Sequence, residues 1–304
     1  MYKIRNLKLK NPYFLAPMEA MNDIAFRMLC KKAGSSLTFT GMINQLTREK
    51  LDFKDKPAIQ IFSADSKGIK EFMKKHDKDA SLWDFNLGCP AKTAKKHGFG
   101  FFMNHKLELI EKILKEMRQA TDKPLTIKLR ISNNTEKIIK IAEKYCDAIS
   151  IHPRTQVQGY SGIPNLEFAI KIKKSTSLPV IYSGNVNEKN ARELLKTFDF
   201  VMIGREAIGN PSIFYKLCNK GVSENQREIK LKYNTYRCNK CNCISFKDYL
   251  TLALKHRLCF EQIKTQAINF TKGMHNASKV REKLMKVKNI EEIKKIYKDA
   301  TQQI

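Results

Sequence analysis

Leu82-Trp83-Asp84-Phe85-Asn86-Leu87-Gly88-Cys89-Pro90, then Asn104–Ala120 (NHKLELIEKILKEMRQA), then Leu125-Thr126-Ile127-Lys128-Leu129: this stretch decides the fold. Its first and last parts, Leu82–Leu87 and Leu125–Leu129, are short apolar runs bounded by turn residues, which is a strand signal. Between them Leu107, Ile110, Ile113, Leu114 and Met117 recur at helical spacing. A strand, a helix and a second strand make a crossover unit with parallel pairing. The same alternation continues on both sides, with further strand-like runs at Tyr13–Met18, Ser36–Thr40, Ala58–Phe62, Ala148–Ile151, Val180–Tyr182 and Phe200–Ile203. Eight strands alternating with helices predict an α/β fold, a (β/α)8 TIM barrel. A doubly wound sheet is the alternative, and no Gly-x-Gly-x-x-Gly opens its first strand–helix turn.

The pattern changes near residue 220. From Ser223 onward no strand run stands out, and apolar residues recur at helical spacing in Phe246–Leu258 and Ile290–Tyr297. The expected organisation is a barrel domain over residues 1–220 and a small all-helical domain over 221–304. Lys plus Arg number 57 against 30 Asp plus Glu, a net charge of +27. Such self-repulsion points to a polyanionic partner, with nucleic acid foremost and a simple lysine-rich composition as the plainer explanation. The basic residues are spread along the chain, which disfavours an anionic membrane as the partner. Residues 218–304 hold 19 Lys/Arg and 8 Asp/Glu, a denser positive charge than the rest, as expected of a phosphate-binding face. Hydrophobic residues at 42% exclude a disordered chain. No apolar run reaches ~18 residues, so no membrane-spanning helix is expected. The start, MYKIRNLKLKNPYF, has no apolar segment of a signal peptide, so a cytoplasmic location is expected. Nothing points to a protein partner.

In a barrel of this type the chemistry sits at the C-terminal ends of the strands. The residues there are Ala16-Pro17-Met18, Gln60, Asn86 and Cys89, Lys128 and Arg130, His152 and Arg154, Gly184-Asn185, and Gly204-Arg205. Glycines after both the seventh and the eighth strand let backbone N–H groups approach an anion, and Arg205 adds a charge-assisted bond; together they suggest a phosphate-bearing cofactor. The eight cysteines of a cytoplasmic chain are expected as thiols. Cys30, Cys146 and Cys218 lie in apolar helical patterns and read as packed thiols. Cys238, Cys241 and Cys243 have a metal-type spacing, with Cys259 or His256 as a fourth ligand. Zinc, an iron–sulfur cluster or unbound thiols all fit.

Taken in order, these segments resemble one family. APMEAMNDIAFR (residues 16–27), Asn86-Leu87-Gly88-Cys89-Pro90, Lys128-Leu129-Arg130, HPRTQVQGYSG (152–162), Gly184-Asn185 and GREAIGNPSIF (204–214) together look like the dihydrouridine synthases, flavin enzymes that reduce uridine in tRNA. The resemblance implies FMN as cofactor, NADPH as reductant and tRNA as partner. It implies Cys89 as the proton donor. Gln60, Lys128 and His152 would contact the flavin, with Ala16, Pro17 and Met18 lining its site. Gly184, Asn185, Gly204 and Arg205 would hold its phosphate. Asn86, Arg130 and Arg154 would face the substrate or position the catalytic loop, and Lys92 and Lys95 would lie against RNA. Three places depart from the family pattern: Gly41 where an acidic residue is usual, HGFGFFM (97–103) after Cys89, and Val186 after Asn185. The other readings are a barrel flavoenzyme with a small substrate, such as a dihydroorotate-type dehydrogenase, a flavoenzyme making another uridine modification, and a non-catalytic tRNA-binding protein. The charge opposes the first and an intact Cys89 opposes the last.

Overall fold

The computed structural model describes residues 1–219 and 244–302. Two short strands, β1 (Tyr2–Ile4) and β2 (Leu7–Leu9), pair as an antiparallel hairpin. Eight parallel strands then close a barrel: β3 (Tyr13–Leu15), β4 (Leu37–Asn44), β5 (Ala58–Phe62), β6 (Leu82–Leu87), β7 (Leu125–Arg130), β8 (Ala148–His152), β9 (Val180–Ser183) and β10 (Phe200–Ile203), with β10 pairing back to β3. The closed ring removes the doubly wound alternative.

Alternation along each strand sorts the side chains into two environments. Outward residues such as Ile59, Ile61, Trp83, Phe85, Ile127 and Leu129 pack under the surrounding helices. Inward residues of the lower barrel are apolar: Phe14, Leu37, Phe39, Ala58, Leu82, Ala148, Ile181, Phe200 and Met202. The hairpin plugs this end with Ile4 and Leu9. Above that layer the interior turns polar, with Gln60, Asp84, Thr126 and Ser150 fully buried. Burying so many polar groups requires that they satisfy one another.

The helical C-terminal region is present as Phe246–Lys255, Phe260–Asn269, Ala277–Lys286 and Ile290–Gln302. It packs through an aromatic cluster in which Phe246 stacks on Tyr297 at 4.3 Å and also meets Tyr249 and Phe270. Asp23 ties it to the barrel. One of its carboxylate oxygens caps the helix Ile24–Lys32 by accepting from the Phe26 N–H at 2.9 Å. The other accepts from the Tyr249 hydroxyl at 3.2 Å and from Gln266 Nε2 at 3.1 Å. Gln266 also donates to the Met21 carbonyl at 2.7 Å. Next to this junction Arg27 makes a two-pronged bond to Asp55, at 2.9 and 2.6 Å, with both side chains almost fully buried.

The N-terminal hairpin is an addition to the sequence reading. The second barrel strand runs to Asn44 rather than stopping at Thr40, because the chain resumes pairing with β5 after a register shift between Phe39 and Met42. Gly41 sits in that bulge, where a Cβ would lie 3.3 Å from the Met18 carbonyl. The long helix begins at Leu107 rather than Asn104. The expected domain boundary at 220/221 falls outside the described residues, as do Cys238, Cys241 and Cys243.

Candidate active site

The upper end of β6 builds the centre of the site. Asn86 turns its side-chain oxygen back on the chain and accepts from the backbone N–H of Gly88 at 3.1 Å and of Cys89 at 2.9 Å. That small ring fixes the turn carrying the Cys89 thiol. The short helical turn Gly100–Met103 then folds over it, and Phe101 N–H donates to the Cys89 carbonyl at 3.1 Å. Gly100, at φ +60°, makes this approach possible: a Cβ there would sit 2.9 Å from Cys89 Cβ. The HGFGFFM segment thus closes over the cysteine with a glycine at the contact. Cys89 itself stays partly accessible. Burial pushes its thiol pKa up, the backbone N–H of Ala91 opposes that, and the Glu19 carboxylate adds to it. Lys128 and Arg130 pull the other way, more weakly. The thiol is therefore protonated at neutral pH.

Below Cys89 lies a polar floor. Asp84, on the same inward face of β6 as Asn86, accepts from Gln60 Nε2 at 2.5 Å and from the Thr126 hydroxyl. Gln60 Oε1 in turn accepts from Asn86 Nδ2 at 2.8 Å. Burial pushes Asp84 up to about 6, against the pull of its hydrogen bonds from Gln60 and Thr126 and of Lys128. Burial and the neighbouring Arg130 push Lys128 down to about 8, with the Asp84 carboxylate holding it up. Ser150, paired in register with Lys128 on the next strand, has a buried hydroxyl with no partner.

The third part is a basic rim around the loop after β8. Arg154 donates to the carbonyls of Ser161 and Gly162 at 2.9 and 2.6 Å, and Arg130 to that of Gly159 at 2.6 Å. Both guanidinium groups are buried and shape this loop. Arg154 also donates to His152 Nε2 at 2.9 Å. His152 is therefore an acceptor there and carries its proton on Nδ1. Burial, reinforced by Lys128, Arg130, Arg154 and Arg205, holds the imidazole neutral. The guanidinium groups of Arg130 and Arg205 lie 5.2 and 5.5 Å from the centre of the Tyr160 ring. Arg205 is exposed and donates to Asn185 Oδ1 at 2.7 Å and to the Tyr160 carbonyl at 3.2 Å. Gly184 and Asn185 both have positive φ, so this strand end turns sharply. A Cβ on Gly184 would press to 3.2 Å from the His152 ring. Gly204 faces Ala16 and Met18 across the β10–β3 junction.

The structure thus brings Gln60, Asn86, Cys89, Lys128, Arg130, His152 and Arg154 to one end of the barrel, with Ala16, Pro17, Met18, Gly184, Asn185, Gly204 and Arg205 at the adjoining strand ends. Lys92 and Lys95 are exposed on the short helix Lys92–His97 beside Cys89. Asp84, Thr126 and Ser150 were missing from the sequence reading. Their signal was a polar residue at alternate positions of otherwise apolar strands. Cys259 is exposed at the start of the helix Phe260–Asn269, and His256 meets Asp52 at 3.0 Å. No cluster of three or more metal-ligating side chains occurs among the described residues. Where the family pattern has an acidic residue in place of Gly41, Glu19 Oε2 lies 3.8 Å from the position of a Cβ on that glycine.

The family model described as dihydrouridine synthase matches residues 14–304. This chain belongs to the dihydrouridine synthase family. A probable tRNA-dihydrouridine synthase of Rickettsia bellii is 32% identical over 233 residues, covering 69% of this chain and 72% of the relative. The tRNA-dihydrouridine synthase B of Escherichia coli K12 is 30% identical over 236 residues, covering 71% and 74%. Among solved structures, a variant of NCR from Zymomonas mobilis superposes with a TM-score of 0.51 at 11% identity, over 72% of this chain and 89% of the other. The 6-hydroxypseudooxynicotine amine oxidase of Pseudomonas geniculata N1 gives 0.53 at 13% identity, over 74% and 49%. These two likenesses establish the barrel fold. No described helix is long and apolar enough to cross a membrane.

Proposed function

We propose that this dihydrouridine synthase family member reduces the 5,6 double bond of a uridine in tRNA, in the cytoplasm, with FMN as cofactor and NADPH as reductant. The observation that carries the reading is a cysteine on a turn fixed by Asn86 at the mouth of the barrel, at the end of the strand that pairs with that of Lys128 and beside a basic rim. The site fits a flavin on its own chemistry. A buried hydroxyl on Ser150 lacks a partner, Lys128 offers a cation, and the turns at Gly184-Asn185 and Gly204-Arg205 suit a phosphate. When bound and reduced by NADPH, FMN supplies the hydride for one carbon of the double bond. Cys89 releases its proton to the neighbouring carbon as general acid. Gln60, Lys128 and His152 hold the ring, with Ala16, Pro17 and Met18 lining its edge. The Lys128 ammonium favours negative charge beside it. Asn185, Gly204 and Arg205 hold the phosphate. Asn86 fixes the Cys89 turn, and Arg130 and Arg154 shape the loop that borders the substrate.

The target base must leave its stack to reach this depth, which calls for a broad grip on the RNA backbone. Lys92 and Lys95 beside Cys89 and Lys279, Arg281, Lys283 and Lys286 on the C-terminal helices are exposed and supply it. Expression in a strain lacking its own dihydrouridine synthases should restore dihydrouridine to tRNA, read by mass spectrometry of digested nucleosides. Protein present without dihydrouridine would overturn the reading. Arg205→Ala should weaken FMN binding by about 10–100-fold, the loss of one charged hydrogen bond to a phosphate. Fluorescence titration of apoprotein reads this, and an unchanged dissociation constant would move the phosphate elsewhere.

A further inference from the structure

We propose that Asp84 is a positioning residue of this reaction: a buried carboxylate that sets, through Gln60 and Asn86, the geometry of the Cys89 turn. The inference deepens the proposed function, because it assigns an origin to the placement of its proton donor.

The logic follows from which atoms can donate. An ionised carboxylate only accepts hydrogen bonds. Asp84 Oδ2 therefore requires Nε2 of Gln60, which it meets at 2.5 Å. With its nitrogen spent there, Gln60 presents Oε1 at its other corner, and this calls for Nδ2 of Asn86, found at 2.8 Å. With that nitrogen spent, Asn86 presents Oδ1 to the chain. Its targets are two backbone donors, Gly88 N–H and Cys89 N–H, at 3.1 and 2.9 Å. An acceptor at one end and donors at the other agree on the orientation of both amides in between. The second Asp84 oxygen is anchored by the Thr126 hydroxyl, so the carboxylate is held from both sides.

The relay is closed off from the surface at its lower end: Asp84, Gln60 and Thr126 are fully buried and Asn86 nearly so. Its members come from three neighbouring strands, β5, β6 and β7, in register: Gln60 pairs with Asp84, Asp84 with Thr126, and Asn86 with Lys128. Asp84 and Asn86 share the inward face because they are two residues apart on one strand. Asp84 does not touch the thiol, so it acts by orientation. A reversed Asn86 amide would point a donor at two backbone N–H groups and undo the turn.

The test moves the carboxylate one step along the relay. Asp84→Ala removes the acceptor that orients Gln60 and should disturb the turn. The double variant Asp84→Asn, Gln60→Glu restores the order: the new amide at 84 donates to the carboxylate at 60, which still accepts from Asn86 Nδ2. The readout is the alkylation rate of Cys89 by iodoacetamide in flavin-free, tRNA-free protein, in a background where the other accessible cysteines are serine. Asp84→Ala should change this rate by about fivefold or more, and the double variant should stay within about twofold of wild type. In flavin-loaded enzyme Asp84→Ala should lower kcat on tRNA with KM unchanged. A double variant that folds and is as altered as Asp84→Ala overturns the relay. So does a wild-type alkylation rate in Asp84→Ala. Should Asp84→Ala not fold, the double variant decides, and a rate changed about fivefold or more in it overturns the relay. Because alkylation needs neither flavin nor RNA, it stands or falls apart from the proposed function, which the dihydrouridine assay alone decides.

Discussion

Cys89→Ala protein is expected to retain FMN while reducing uridine in tRNA about 10²–10⁴-fold more slowly, the usual cost of losing a positioned acid. The flavin should stay because the ring and phosphate contacts proposed here come from β3, β5 and β7–β10. Only the acid comes from the turn after β6. The environment of the thiol adds a sign to the prediction. Its pKa is raised, first by burial and then by Glu19, so the acid form persists above the ordinary thiol range. Activity should therefore hold across neutral pH and decline only on the alkaline side. Cys89→Ser keeps a donor of much weaker acidity and should fall between wild type and alanine. The measurement is a single turnover: enzyme reduced beforehand is mixed with tRNA lacking dihydrouridine, and flavin reoxidation is followed by absorbance. A wild-type rate in Cys89→Ala would remove the thiol from the chemistry while leaving the cofactor assignment intact. Loss of flavin would instead show that Cys89 supports the binding site.

The barrel was legible because its strands announce themselves locally. LWDFNL and LTIKL are short, apolar and bounded by turn residues, and a helix of clear period lies between them. The strand-end residues were legible for a related reason: polar or glycine residues directly following such runs fall at the barrel mouth. Asp84 was harder to see. It sits two residues before Asn86 inside an apolar run, and an aspartate there reads as a tolerated exception until the facing Gln60 and Thr126 are known. Those partners are 24 and 42 residues away in sequence. The hydrogen-bond partners of Arg130 and Arg154 were hidden in the same way. A guanidinium at a strand end suggests a substrate contact or a loop anchor, and the loop carbonyls within 155–162 that its donors meet are set by loop conformation. The hairpin plug was overlooked because two three-residue strands carry little periodic signal. The bond from Tyr249 to Asp23 spans 226 residues and has no local trace at all.

The junction between barrel and helices yields the second large effect. Gly209 has φ +65°, and a Cβ there would lie 2.0 Å from the Asn269 carbonyl oxygen and 2.6 Å from its carbon. Both are backbone atoms at the end of the helix Phe260–Asn269, so no side chain can swing aside. The helix is also pinned one turn earlier, where Gln266 donates to the Met21 carbonyl and to Asp23. Gly209→Ala must therefore push the helix off the barrel by about an ångström and also adopt a left-handed backbone conformation. The second cost is roughly 1–2 kcal/mol, and forced overpacking adds about 1–3 kcal/mol. A loss of about 3 kcal/mol should lower Tm by about 5 °C in a chain of this size. Gly273→Ala is the matched control. Its φ is +80°, yet nothing lies within 4 Å of the added Cβ, so it carries the backbone cost alone. Thermal unfolding of the two variants, with limited proteolysis reporting release of the C-terminal helices, separates crowding from conformation. Equal Tm shifts would mean that the close approach at Asn269 is not what joins the two parts. A larger shift in Gly209→Ala, with tRNA affinity reduced and FMN affinity unchanged, would show that the helices bind RNA only when seated on the barrel.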